Sequence, residues 1–373
     1  MFHTIITLSY TIPSIYLFVR FWQFYLEKKW RIRFVLIFAF LFLLYPVSGL
    51  FDDRSAGSFG NIIVTVSNYL LPFFLYLFLT VLATDLLLLV NLIIKTVPRE
   101  ILKKKSVRNR MMIFNISLSA LIVIAGIINF NTIRITEKEI NVPADSSDIS
   151  NLRIAFISDF HLEEKTPVAF VEQFVRKINI VKPDILLYGG DILEGFSEVE
   201  KMEKFEKLLR GVKPVYGVFG VLGNHDRTYR GVISSFYSGA GMKILKDSVI
   251  VIGKSFVLAG RNDSRDEERK SAGDLLVDAP GNLPIIVLDH RPTEMDLLSE
   301  TTADVVFSGH THHGQLFPIN LITNKVYELS YGYLKKRETH FFVSSGIRLW
   351  GPPVRTVAKS EILVVNISFT QDK

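Results

Sequence analysis

Hydrophobic and polar positions fall into two regimes along the chain. Before residue 131 there are four long apolar stretches, roughly 5–19, 34–51, 70–94 and 111–130. About 20 apolar residues at 1.5 Å rise cross a hydrocarbon core. The last three stretches meet that length, and the first, interrupted by Pro13, gains it from the apolar 21–26. No Lys or Arg precedes the first run and no small-residue cleavage site follows it, so it reads as a span rather than a cleaved leader. The pattern predicts a multi-pass α-helical membrane domain over residues 1–132 with about four transmembrane helices.

The pattern then turns polar through Asn141-Val142-Pro143-Ala144-Asp145, a linker or edge strand over 133–150. Beyond it, short apolar runs alternate with amphipathic stretches. Strands are predicted at 153–158, 185–188, 215–222, 248–252, 255–259, 285–288, 305–308, 340–343 and 362–367. Helices are predicted at 168–178, 199–209, 231–238 and 293–300. Alternation first and strand-rich sequence later predict an α/β sandwich with mixed sheets over 151–373.

Charge sharpens this division. The net +6 lies entirely in residues 1–148, which hold 15 Lys and Arg against 9 Asp and Glu, while the remainder is balanced. Arg20, Lys28, Lys29, Arg31 and Arg33 follow the first span; Lys95, Arg99, Lys103, Lys104, Lys105, Arg108 and Arg110 follow the third. Between spans two and three there is only Arg54, beside Asp52 and Asp53. Positive loops stay cytoplasmic, so everything after about Asn131 is expected outside the cytoplasm. Anionic membrane lipid is the natural partner of the basic loops. Asp85, inside the third apolar stretch, is a functional candidate by its cost there, or else caps a helix break or sits near Asn91 and Lys95 at an interface. With 49% hydrophobic and 21% charged residues the chain is not disordered, and zero cysteines exclude thiolate zinc sites and a cysteine nucleophile.

The chemistry sits at predicted strand ends. Five runs finish in Ser158-Asp159-Phe160-His161, Gly189-Gly190-Asp191, Gly223-Asn224-His225-Asp226, Asp289-His290-Arg291-Pro292 and Gly309-His310-Thr311-His312-His313-Gly314-Gln315. Ligands of open α/β sheets bind beyond the carboxyl ends of strands, so these clusters should share one cleft. Six of the eight histidines fall in them. A lone histidine after a strand is usually a core or surface residue. Six with two aspartates and an asparagine suit divalent transition metals, and exceed what one ion needs. A pair about 3.5–4 Å apart sharing one carboxylate fits that inventory.

In order and spacing, Asp159-Phe160-His161, Gly190-Asp191, Gly223-Asn224-His225-Asp226, His290 and Gly309-His310-Thr311-His312 resemble the calcineurin-like metallophosphoesterases. The likeness is to the membrane-anchored bacterial branch, which includes UDP-diacylglucosamine hydrolase-like members, and covers roughly residues 150–368. It implies two divalent metal ions, of manganese, iron or zinc. One would be held by Asp159, His161, Asp191 and His312, the other by Asp191, Asn224, His290 and His310. His225 would be catalytic, facing the leaving group. Its usual partner is a carboxylate three residues past the bridging aspartate, here Glu194 where aspartate is commoner. Asp226 would support the ligands from behind or cap a helix. His313 replaces a common glycine and would line the cleft or point to solvent. Arg348 and Arg355, in a segment like the family's closing one, would contact phosphate or form surface ion pairs.

The resemblance implies hydrolysis of a phosphoester or pyrophosphate, lipid-linked substrates included, by attack of metal-activated hydroxide. The alternative is a membrane sensor or transporter whose C-terminal domain binds a phosphorylated ligand without turnover. The balanced charge of residues 149–373 argues against a nucleic-acid substrate, which wants a basic face.

Overall fold

The computed structural model describes residues 2–51, 57–144, 147–195, 199–226 and 230–370; Asp52, Asp53 and Arg54 of the expected outer loop lie outside the described residues. The chain forms two compact units, Met1–Ile128 with Gly351–Thr356, and Asn129–Trp350 with Val357–Lys373.

The first unit is helical. Its helices are α1 (Phe2–Arg20), α2 (Arg31–Ser48), α3 (Gly57–Ile94), α4 (Arg99–Lys103) and α5 (Lys105–Asn131), the last turn of α5 belonging to the second unit. Among the described residues, three segments are long and apolar enough to cross a membrane: Lys28–Ser48, Phe59–Ile94 and Lys105–Asn131. The first predicted stretch is helical as α1. Asp85 neither breaks nor caps a helix, because α3 runs through it. It instead accepts from the Tyr16 hydroxyl and pairs with Arg20, both on α1. A charge in an apolar layer is tolerable only when so matched. Asn91 closes the end of α3 on the main chain of Val97, at 2.8 and 2.9 Å. Thr84 donates to Asn115 at 3.0 Å and Thr80 pairs with Ser119 at 3.0 Å, linking α3 to α5 as polar side chains do between apolar helices. Within this unit the N–H of Arg355 donates to Gly126 O at 3.1 Å.

The second unit opens with β1 (Ile133–Pro143), β2 (Asn151–Ile157), β3 (Leu162–Glu163), α6 (Val168–Val181), β4 (Ile185–Tyr188), β5 (Leu193–Gly195), α7 (Val199–Leu209) and β6 (Val218–Gly220). It continues through α8 (Arg230–Gly239), β7 (Met242–Ile244), β8 (Ser248–Ile252), β9 (Phe256–Gly260), α9 (Ala272–Leu276), β10 (Ile285–Leu288), α10 (Met295–Ser299) and β11 (Val305–Ser308). It closes with α11 (Ile319–Val326), β12 (Gly332–Lys336), β13 (Thr339–Val343) and β14 (Ser360–Thr370).

Two six-stranded sheets result, ordered β1-β14-β2-β4-β6-β7 and β12-β13-β11-β10-β9-β8. Phe156, Leu187, Val221, Leu258, Leu288 and Phe307 pack between them, helices α6 to α8 cover the outer face of the first, and α9 and α10 that of the second. With both faces covered, β4, β9, β10 and β11 are buried at every position, which is why they read as continuous apolar runs. Helix α6 turns Phe170, Val171, Phe174, Ile178 and Val181 inward and stops at Lys182, in left-handed backbone (φ 49°) just before Pro183. The polar stretch after residue 132 becomes an edge strand: β1 pairs in parallel with β14 from Ile133–Ser360 to Pro143–Thr370. An edge tolerates the missing amide of Pro143.

Candidate metal centre at the strand ends

Strands β2, β4 and β6 run parallel in one sheet, and β10 and β11 in the other. Their carboxyl ends bring the five predicted clusters together. Donor atoms of Asp159, His161 and His312 lie within 4.8 Å of one another, as do those of Asp191, His290 and His310, and of His161, Glu194 and His225. In the first group His161 Nε2 stands 3.3 Å from His312 Nε2. The carboxylate of Asp159 is 3.9 and 3.6 Å from those two nitrogens. In the second, His290 Nε2 stands 3.2 Å from Asp191 Oδ2, and its Nδ1–H donates to Gly189 O at 2.7 Å. That bond fixes the tautomer that aims Nε2 at the carboxylate.

The turns that aim these side chains are unusual. Asp159, His161, Asp191, His310 and His312 all have positive φ, between 43° and 70°. Left-handed backbone costs roughly 1–2 kcal/mol for most residues, and Asp, Asn and His tolerate it best. His313 has φ 49°, which explains why glycine suits that position. Its ring does not point freely to solvent; Nδ1 meets Ser330 Oγ at 2.8 Å and the ring packs 5.4 Å from Tyr331.

Glu194 joins two of the predicted residues. One of its oxygens, Oε1, accepts from both His161 Nδ1 and His225 Nδ1, the latter at 2.9 Å. Burial alone would raise its pKa, but the two imidazoles hold it below the usual carboxylate range. Asp226 is buried and accepts from the N–H groups of Ile192, Leu193 and Gly223 and from the Tyr237 hydroxyl, at 2.7–3.1 Å. It ties the turn after Asp191 to the turn bearing Asn224 and His225. Burial disfavours a charged His290, but Asp191 and Asp159 outweigh it and raise its pKa to about 10. Burial, His290 and Arg291 push His310 the other way, to about 3.

The donor set fits divalent cations. Asn224 Oδ1 is buried and accepts no hydrogen bond from the described residues, a loss of about 1–3 kcal/mol unless something else takes its lone pairs. Asp191 feels both His290 and His161, as a carboxylate between two groups of ligands must.

Arg348 is 6% exposed, its guanidinium 4.9 Å from the ring centres of both Phe130 and Phe170, while its main-chain N–H donates to the main-chain O of Asp159 at 3.1 Å. Arg355 is fully buried and groups with the helical unit. Burial removes the expectation of a surface ion pair for either. Other contributors were not singled out from sequence. Ser158 donates to Asp159, and Arg291 is held by Asp263 at 2.7 Å beside His310. Trp350, half exposed, has its ring 6.0 Å from that of His225. The motif glycines carried a signal: a Cβ on Gly309 would strike Ser158, and one on Gly223 would strike Asp191.

Residues 152–314 match the calcineurin-like phosphoesterase family. The UDP-2,3-diacylglucosamine pyrophosphatase LpxG of Chlamydia trachomatis is 30% identical over 250 residues, covering 52% of this chain and 75% of that protein. This chain belongs to the calcineurin-like phosphoesterase family. An uncharacterized metallophosphoesterase of Helicobacter pylori shares 33% identity over 238 residues, 62% of this chain and 63% of that protein. The match therefore spans just under two thirds of the Helicobacter relative's length. A zebrafish (Danio rerio) transmembrane protein with a metallophosphoesterase domain is 24% identical over 272 residues, 68% of this chain and 62% of that protein.

Proposed function

We propose that the chain is a membrane-bound phosphoesterase that hydrolyses a phosphoester or pyrophosphate carried on a lipid, using two divalent metal ions. The observation that carries this reading is the pair of donor groups at one edge of the sandwich, each mixing carboxylate and imidazole. Asp159, His161 and His312 would hold one ion, Asn224, His290 and His310 the other, and Asp191 would touch both. Held there, two cations supply positive charge for the phosphoryl oxygens and acidify a water toward hydroxide. The chain's own part is positioning and proton handling. Glu194 occupies Nδ1 of His225, so proton transfer to the leaving oxygen falls to Nε2. Glu194 also orients His161 through its far nitrogen. A binding-only domain has no use for a histidine so prepared.

The two basic loops support an extracytoplasmic placement of the catalytic unit, and Arg20, one of their twelve cations, is the partner of Asp85. Nucleotide-linked precursors are scarce there, so a lipid-linked phosphate or pyrophosphate is favoured over the UDP-linked lipid in the Chlamydia relative's name. Purified protein reconstituted with manganese, iron or zinc should release phosphate or a phosphomonoester from lipid phosphoesters. Stoichiometric binding without turnover across lipid and soluble esters would support the sensor instead. A reporter fused after Lys373 that is active only in the cytoplasm would reverse the placement.

A further inference from the structure

Helix α11 follows directly on the turn that carries His310 and His312, and it keeps no residue buried. Ile319, Ile322 and Val326 share one stripe, 43%, 64% and 68% exposed, while Phe317, before the helix, and Leu321, off the stripe, are 48% and 52% exposed. On the face beside that stripe the N–H of Asn320 and the hydroxyl of Thr323 crowd Gly314, where a Cβ would come within 2.6 Å of both. The helix is thus seated firmly on the metal-binding turn and shows its apolar side outward. Such a surface needs an occupant.

The register of the catalytic sheet says which one. β1 runs parallel to β14 and β14 antiparallel to β2, with Leu363 opposite Phe156. The first residues of β1 and β14, Ile133 and Ser360, therefore lie at the edge where β2 ends and Asp159 begins. The chain enters this unit at the catalytic edge. The last turn of the apolar helix α5 is fastened there: Asn129 Nδ2 donates to Ala358 O at 3.0 Å, and Ser360 Oγ to Phe130 O at 2.8 Å. The Phe130 ring lies under the Arg348 guanidinium, and the main-chain N–H of Arg348 donates to the main-chain O of Asp159. Next to Ala358, the N–H of Val357 donates to Gln315 O at 3.4 Å, four residues before α11 begins. The last turn of α5, the metal-binding turns and α11 share one edge of this unit, and only Thr132 separates α5 from β1.

We propose that α11 lies in the interfacial layer of the same bilayer that holds the apolar helices, its Ile319–Ile322–Val326 stripe against acyl chains and Lys325 at the headgroups. An amphipathic helix tethered this closely to a span binds a bilayer by buried apolar area, with a long basic side chain reaching back to water. The metal centre would then work at the membrane surface, on headgroups presented by the bilayer itself. The proposal rests on the reading of the apolar helices as bilayer-embedded, and not on turnover.

The chain has no cysteine, so single spin labels can be placed on the full-length protein in single-copy phospholipid nanodiscs. Labels at Ile322→Cys and, independently, Val326→Cys should collide more with oxygen than with a water-soluble nickel chelate. Leu121→Cys, on an exposed position of α5, is the lipid control. Val215→Cys, 82% exposed and preceding β6 at the opposite edge, is the aqueous control. The oxygen-to-nickel preference should have the same sign at positions 322, 326 and 121, and the opposite sign at 215. Nickel preference at 322 and 326 with position 121 in lipid overturns the proposal and leaves the anchor standing. Nickel preference at 121 overturns the anchor reading itself. Labels at 322 and 326 shielded from both reagents would mean a protein occupant, and would equally overturn it.

Discussion

Replacing Glu194 by Gln tests whether one carboxylate serves two histidines. The change keeps size and one acceptor oxygen but removes the charge that both Nδ1–H groups face. Hydrogen bonds to a charged acceptor contribute about 1.5–3 kcal/mol and neutral ones about 0.5–1.5, so each bond weakens by about 1–1.5 kcal/mol. Two bonds to Glu194 then lose about 2–3 kcal/mol together, roughly 30- to 160-fold, divided between metal binding through His161 and turnover through His225. Metal titration of activity separates the shares. Glu194→Gln should need about tenfold more metal for half-maximal rate, and at saturating metal should still run about tenfold slower. Glu194→Ala should lose more on both counts, because it leaves both donors without an acceptor. A Gln variant with an unchanged metal midpoint and a slow rate would show that the carboxylate acts on His225 alone. Wild-type values for both would refute the shared role outright.

Three further outcomes are expected. Asp191→Asn should be the most damaging conservative change, and the purified variant should retain well under two metal equivalents, whereas His161→Ala or His312→Ala should deplete one ion; two full equivalents in the Asp191 variant would contradict the bridge. His225→Asn should keep both ions yet lose roughly 10²–10⁴-fold on esters with poor leaving groups and much less on a p-nitrophenyl ester, since proton donation matters in proportion to charge on the leaving oxygen; an equal loss on both would make His225 a phosphoryl-positioning group. Burial raises Asp304, just before β11, from 3.8 to about 6 even though Ile285 N–H donates to it at 2.7 Å, so the folded state holds its proton more tightly and stability falls as pH rises through that window. Asp304→Asn should therefore be about 1–3 kcal/mol more stable than the parent above pH 6 and equal to it below pH 4, since each tenfold gain in proton affinity is about 1.4 kcal/mol; a pH-independent difference in thermal unfolding would refute this.

Much of this molecule is written locally. A span needs only a run of apolar residues, and a strand covered on both faces needs only a short one, so the helices and the central strands β2, β4, β10 and β11 are legible from sequence. The ligand types are legible too, because each closes such a strand and few chemistries use imidazole, carboxylate and amide together. Other features depended on pairing between distant residues. β1 reads as either a linker or an edge strand until β14, more than 200 residues later, supplies its ladder. The short β7 and β12, and the eight-residue helix α11, are too brief for their pattern to stand out alone. That Glu194 would turn to His161 as well as His225, that His313 would close on Ser330, and that Arg348 would stack between Phe130 and Phe170 could not be read from spacing. A side chain's partners are set by which strand ends lie adjacent and by the left-handed turns that aim them. Both are decided only when the two sheets pack. Sequence determined which groups the protein brings to the strand ends; tertiary structure decided which of them touch, and that the chain enters β1 at that same edge of the sheet.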